Sequence, residues 1–161
     1  MSKSLYAVLF ACSVLSCNAQ SSRTRDHGEA AYYVTEYARH YGLPVGFVRA
    51  VVTQESGWRP CAISRKGAAG LMQLMPQTAA RLGVRDRCNI EENVSGGVRY
   101  LAWLSRKFQG DLRLVAAAYL AGEDVLERRG LFYRNQEVVT YVSQIRGRCE
   151  RQLLKQTVST P

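Results

Sequence analysis

The sequence predicts an all-α protein built as one domain. Three observations carry that expectation. Apolar residues recur at helical spacing in six successive stretches. Glycine or proline punctuates most of their ends. The 161 residues suffice for one domain with a respectable core and fall short of two comfortable ones. No internal repeat or linker divides the chain.

Residues 20–28 are polar and are expected to form a mobile leader. From Glu29 to Tyr41, Tyr33, Tyr37 and Tyr41 recur every four positions with Ala30 and Val34 near the same stripe, which predicts an amphipathic helix ended by Gly42. The tyrosine stripe reads as core rather than as a ligand site. Leu43-Pro44 opens a second helix, proline being tolerated in a first turn, and this helix runs to about Ser56 before Gly57 lets the chain turn. Trp58 to Lys66 reads as a loop, and Gly67 and Gly70 bound a turn where the backbone can bend sharply or approach a ligand. Leu71 to Gly83 is expected to be helical and re-aimed near Pro76, and Val84 to Ile90 to be a charged connection. Between Glu91 and Phe108, Val94, Val98, Leu101, Ala102, Leu104 and Phe108 keep helical spacing, and Gly96-Gly97 permits close packing. Asp111 can cap the apolar stretch L-R-L-V-A-A-A-Y-L-A, which Gly122 ends. The last helix is expected from an Asn135 cap to Leu154, with Val138, Val139, Val142 and Ile145 on it, and residues 155–161 form a disordered tail.

The N-terminus narrows the compartment. Lys3, an apolar run from Leu5 to Leu15 and then small residues have the layout of a secretory signal peptide over residues 1–19, too short for a comfortable membrane span. Two cleavage readings compete: a conventional cut after Ala19, which is preferred, and a lipoprotein box V-L-S-C in which Cys17 would carry lipid. The chain is therefore expected to be exported or periplasmic. Beyond the signal, Cys61, Cys88 and Cys149 remain, in a compartment where disulfides persist. Cys61 and Cys88 flank G-A-A-G-L-M-Q, and a bridge between them is expected, leaving Cys149 unpaired; the alternative is three packed thiols. The net charge of +9 attracts anionic wall polymers and membrane surfaces. Scattered basic residues and export argue against nucleic acid, and no zinc-ligand spacing, phosphate-binding glycine loop or dinucleotide fingerprint is present. Neither metal nor cofactor is expected.

Glu55 is the residue with chemical content. Val48, Val51 and Val52 precede it by seven, four and three positions, so a helix places the carboxylate on an apolar face. A carboxylate forced toward apolar neighbours loses hydration, and the negative end of the helix dipole adds to the effect. Both raise its pKa, as a general acid near neutral pH requires. The structural alternative is a helix-terminal glutamate that reaches water or pairs with an arginine.

The surroundings of Glu55 are specific: E-S-G-W at 55–58, S-R-K-G-A-A-G-L-M-Q-L-M-P-Q-T-A from Ser64 to Ala79, A-A-Y-L-A-G at 117–122 and a late Tyr141. In this ordered set the chain resembles the soluble lytic transglycosylase family with a lysozyme-like domain, including small exported members that accompany secretion systems. The resemblance runs from about Ala31 to Tyr141. It implies a lysozyme-like catalytic domain over residues 29–154 with a glycan-binding groove. It makes Glu55 the catalytic residue and gives Ser64, Met72, Gln73, Tyr119 and Tyr141 to substrate binding, Tyr141 lying beside the glutamate. One departure stands out. The family usually reads Ala-Tyr-Asn-Ala-Gly where this chain has Leu120, and the Pro-Gly that follows is replaced by Glu123-Asp124.

The reaction implied is non-hydrolytic cleavage of the bond between N-acetylmuramic acid and N-acetylglucosamine, leaving a 1,6-anhydro end. A hydrolytic muramidase acting on the same bond is the first alternative, and a wall-binding assembly factor with weakened chemistry, for which Leu120 argues, is the second. Asp86, Glu91, Glu92, Glu123 and Asp124 are available as second acids, each reading better as a surface or capping charge. The implied partners are peptidoglycan strands and a secretion or pilus apparatus, with the chain a monomer.

Overall fold

The computed structural model describes residues 24–129 and 135–158. The signal peptide at 1–19, Cys17 and the end of the tail at 159–161 lie outside them. The described residues form seven helices and no strand, in agreement with the all-α expectation. Residues 24–40 form α1, followed by α2 (Val45–Ser56), α3 (Pro76–Arg81), α4 (Ile90–Lys107), α5 (Leu112–Ala121), α6 (Glu123–Arg129) and α7 (Gln136–Val158). α5 lies at the centre, packed against α4, α6 and α7, and α2 packs against α7. No described helix is long and apolar enough to cross a membrane.

Several boundaries differ from the sequence reading. α1 is already helical at residue 24, so residues 24–28 belong to it rather than to a mobile leader. Gly28 lies in open space inside this helix, where a glycine costs only about 1 kcal/mol, and the His27 ring packs against Trp58 with centroids 4.8 Å apart. The core line of α1 is Ala30, Val34 and Ala38, all fully buried, while Tyr33, Tyr37 and Tyr41 are half-buried along its margin. Small residues let α1 approach the core closely, and the tyrosines need room for their hydroxyls; that of Tyr37 donates to Glu91 Oε1 at 3.1 Å. α7 continues to Val158, so residues 155–158 are helical rather than a disordered tail. α6 is a helix the sequence reading did not anticipate, with Glu123 and Asp124 in its first turn and Arg128 and Arg129 in its last, as the helix dipole favours.

The largest difference lies at 71–75, expected to be helical. These residues form a tight turn, and helix begins only at Pro76. Isolated bridges pair Ala69 with Ile63 and with Leu74. The cause is a buried asparagine on α4. Asn93 is fully buried and its Oδ1 accepts from the Met72 N–H at 2.8 Å, while its Nδ2 donates to the carbonyls of Ala69 and Arg87 at 3.1 and 2.9 Å. These bonds satisfy turn groups that a helix would have paired internally. Gly70 adopts φ +88°, and a side chain there would collide with Asn93 and the Arg87 carbonyl. Below the turn, Gly97 of α4 leaves room for the Met72 side chain, as Gly96 does for Val84. Arg87 donates to the carbonyls of Gly67 at 2.6 Å and Leu74 at 3.1 Å.

A disulfide joins Cys61 to Cys88, with Cα atoms 4.5 Å apart, and closes the segment that carries this turn. Cys149 is free and half-buried.

Two stability measurements follow. Asn93→Ala takes the side-chain partner from the Met72 N–H and the Arg87 carbonyl, while the Ala69 carbonyl keeps the Leu74 N–H, and should lower the unfolding free energy by about 2–3 kcal/mol in urea titration. Reducing the disulfide frees a loop spanning 27 positions and should lower it by about 3–4 kcal/mol in the same titration.

Candidate active site

Glu55 is the penultimate residue of α2, and Gly57 caps the helix in the left-handed conformation at φ 59°. Val48, Val51 and Val52 are fully buried, so the face predicted to be apolar is the one against the core, and the half-buried carboxyl emerges at its edge. There it meets α7. The Tyr141 hydroxyl donates to Glu55 Oε1, with Tyr141 itself buried. Burial pushes the Glu55 carboxyl from 4.5 up to about 7, against the opposing pull of the Tyr141 hydrogen bond. Among the described residues Glu55 forms no ion pair with a basic side chain, so neither lysine nor arginine holds it ionised. Burial, together with the negative field of Glu55, raises the Tyr141 phenol well above its ordinary value, so Tyr141 stays a donor.

A cleft of about 400 Å³ opens in front of this pair. Gln54 and Glu55 of α2 form one side, Leu120 the floor, and Gln136, Glu137, Thr140, Tyr141 and Gln144 of α7 the other side. The last four of these occupy positions i, i+3, i+4 and i+7, one stripe of a helix. Gln54 is fixed across the cleft by its amide bond to Gln144 at 2.7 Å and by Arg148. Of the residues on α7, sequence reasoning named only Tyr141. The others were accessible by stepping three and four residues along the helix from it, including Glu137, a second carboxylate in the same cleft.

Leu120 also lines a neighbouring hollow of about 250 Å³, with Gln73, Met75, Tyr100, Tyr119 and Glu123 among its other walls. The residues named from the resemblance fall in different places. Gln73 and Tyr119 reach this second hollow. The Gln73 amide, however, already donates to the carbonyls of Ala62 at 2.8 Å and Gly70 at 3.0 Å, which holds the turn and leaves its oxygen as the acceptor. The Tyr119 hydroxyl donates to the Met72 carbonyl at 2.7 Å. Met72 differs from the expectation: its side chain is fully buried against Gly97, so it supports the groove from beneath instead of touching a ligand. Ser64 lines neither hollow; its hydroxyl accepts from the Ala68 N–H at 3.1 Å and closes the turn between them.

Chemically, the arrangement presents one carboxyl near half-protonation at neutral pH, oriented by a phenol, at the edge of an open cleft. It can give a proton to a leaving oxygen and take one back. Among the described residues no group of histidine, cysteine, aspartate and glutamate has the arrangement of a metal site.

Comparison with known proteins agrees with this geometry. The family model described as the Transglycosylase SLT domain matches residues 32–137. Over 75 residues, 47% of this chain, the sequence is 41% identical to membrane-bound lytic murein transglycosylase F of Desulfosudis oleivorans, spanning 16% of that relative's length. Among solved structures, the 70 kDa soluble lytic transglycosylase of Escherichia coli shares the fold with a TM-score of 0.67 at 24% identity, covering 73% of this chain and 23% of that one. An inactive mutant of the lytic transglycosylase Slt of Pseudomonas aeruginosa gives a TM-score of 0.68 at 25% identity, covering 81% and 25%. With its family model matched from the middle of α1 to the first turn of α7, and with the lysozyme-like all-α fold of these neighbours, the chain belongs to the transglycosylase SLT domain family.

Proposed function

We propose that this chain is a peptidoglycan lytic transglycosylase with Glu55 as its catalytic residue. The observation that carries the reading is the half-buried Glu55 carboxyl, raised to about 7 and hydrogen-bonded by Tyr141 at the edge of an open cleft. Family membership and the names of the relatives support it.

The protonated Glu55 gives its proton to the glycosidic oxygen between N-acetylmuramic acid and N-acetylglucosamine as that bond breaks and positive charge grows on the muramoyl C1. The resulting carboxylate takes the proton of the muramoyl C6 hydroxyl while O6 bonds to C1. The 1,6-anhydro ring closes, no water is consumed, and Glu55 ends protonated as it began. Tyr141 holds the carboxyl in place through both steps. The Gln144 amide N–H and the Gln73 amide oxygen are offered to sugar hydroxyls and N-acetyl groups in the two hollows.

Glu137 is the observation that favours the hydrolytic alternative, since a second carboxylate in the cleft could activate water. The relatives, named lytic murein transglycosylases, support the ring-closing route instead. Export through a signal peptide at 1–19, action in the cell envelope as a monomer, and local wall opening for a secretion or pilus apparatus complete the reading. The basic charge suits an anionic wall.

Mass spectrometry of digested sacculi decides the reaction. Anhydro-muramoyl ends are expected from the wild type, and Glu55→Gln should lower their release by about 10²–10⁴-fold while sacculus binding persists; reducing ends would instead identify a muramidase. The pH profile tests Tyr141. The first step needs protonated Glu55, so kcat/KM should fall as pH rises through about 7. Because the tyrosine bond lowers the Glu55 value, Tyr141→Phe should move that fall to higher pH, and an unmoved limb would count against the assigned role. Leu120→Asn, which puts an amide where both hollows meet, should lower KM for glycan strands by about 3–10-fold in steady-state assays.

A further inference from the structure

A third hollow, of about 270 Å³, opens beside the second, between the end of α3 and the outer face of α4. Trp103 is its exposed aromatic wall, with its ring stacked on Tyr100 at 5.9 Å between centroids and 13° between planes. Arg81, Arg99 and Arg106 line the same hollow, and Arg99, Trp103 and Arg106 follow one face of α4 at spacings of four and three. The one acid there, Glu123, is already engaged by Arg81 at 3.3 Å and by the Tyr100 hydroxyl at 2.5 Å. Arg99 gives one N–H to the Leu82 carbonyl. Arg106 is exposed and forms no ion pair among the described residues. Three guanidinium groups thus face one neutralised carboxylate around an aromatic wall.

This hollow adjoins the second, which in turn adjoins the cleft. It shares Arg81, Tyr100 and Glu123 with the second hollow, which shares Leu120 with the cleft before Glu55. A neutral sugar needs no such concentration of cations. Guanidinium groups match planar carboxylates, and an aromatic face packs against the aliphatic stems that carry them. On a murein strand the carboxylates belong to the peptides attached to muramic acid.

We propose that the arginine-lined hollow binds the carboxylates of a murein stem peptide and so gives this chain a preference for peptide-bearing strands. The proposal rests on the murein reading above, and its test is separable from it. In the Glu55→Gln background, where turnover is removed, calorimetry compares two probes. One is a tetrasaccharide of alternating N-acetylglucosamine and N-acetylmuramic acid bearing tripeptide stems; the other is the same tetrasaccharide after an amidase has removed them, which leaves a single lactyl carboxylate on each muramic acid in place of the several carboxylates of each stem. The peptide-bearing probe should bind about tenfold tighter. Arg99→Gln with Arg106→Gln should bring the ratio to about one. Arg106→Gln alone, at an exposed position the fold tolerates, should lower it by about threefold, with Arg106→Lys restoring part of the difference.

A ratio near one in the parent overturns the proposal. So does a ratio that the substitutions leave unchanged, including equal weakening of both probes, which would make the hollow a sugar subsite. If the ratio behaves as expected but Glu55-competent protein releases no anhydro ends, the proposed activity falls and the peptide site stands. If anhydro ends appear and the ratio is flat, the peptide site alone falls.

Discussion

The site depends on keeping water away from one carboxyl group. Glu55 is half-buried because the valines of α2 turn the same helical face into the core, and because α7 crosses close enough for Tyr141 to reach it. Each helix supplies what the other lacks. α2 brings the acid at its negative end, where the helix dipole adds to the loss of hydration. α7 brings the phenol that fixes the direction of the acid and, on the same stripe, the polar side of the cleft. The contact between these two helices is therefore structural and chemical at once, and α5, packed against α7 and carrying Leu120 and Tyr119, completes the floor.

The other half of the groove rests on a different device. Residues 69–74 are irregular backbone next to the core, a position in which unpaired amides are expensive. One side chain, Asn93, resolves this by serving two of those groups, and the Arg87 carbonyl besides, from within α4. Around it, Gly70 and Gly97 remove the side chains that would hold α4 and the turn apart, and the bridge from Cys61 to Cys88 restrains the segment covalently. The Gln73 amide then closes the turn on itself. The groove wall is thus a shelf fixed from below.

Much of the fold was legible in the sequence because it obeys local periodicity. Valines at spacings of three and four predicted the face of α2, Asp111 and Asn135 lie where caps belong, and the glycine pair of α4 marks close packing. What periodicity could not give is the outcome of competition between local and tertiary bonding. Leu71 to Met75 reads as the start of a helix, yet a polar side chain 21 residues downstream claims the Met72 N–H. Met72 was carried into the substrate groove with its motif, although its side chain here is buried against Gly97. Glu137, Gln144 and Trp103 carried no motif the sequence reading used, and only the crossing of helices brings them to the hollows.

The acidity of Glu55 arises from excluded solvent and one neutral hydrogen bond, with no charged neighbour contributing. Mobile ions screen charges across an aqueous gap, with a Debye length of about 10 Å at 0.1 M, but they do not rehydrate a buried carboxyl. Capture of an anionic polymer by a strongly basic chain is therefore sensitive to ionic strength, whereas the proton-donating power of the site is not. On the proposed reading, changes in salt concentration alter how often the chain engages its polymer and leave untouched what happens once a strand is seated.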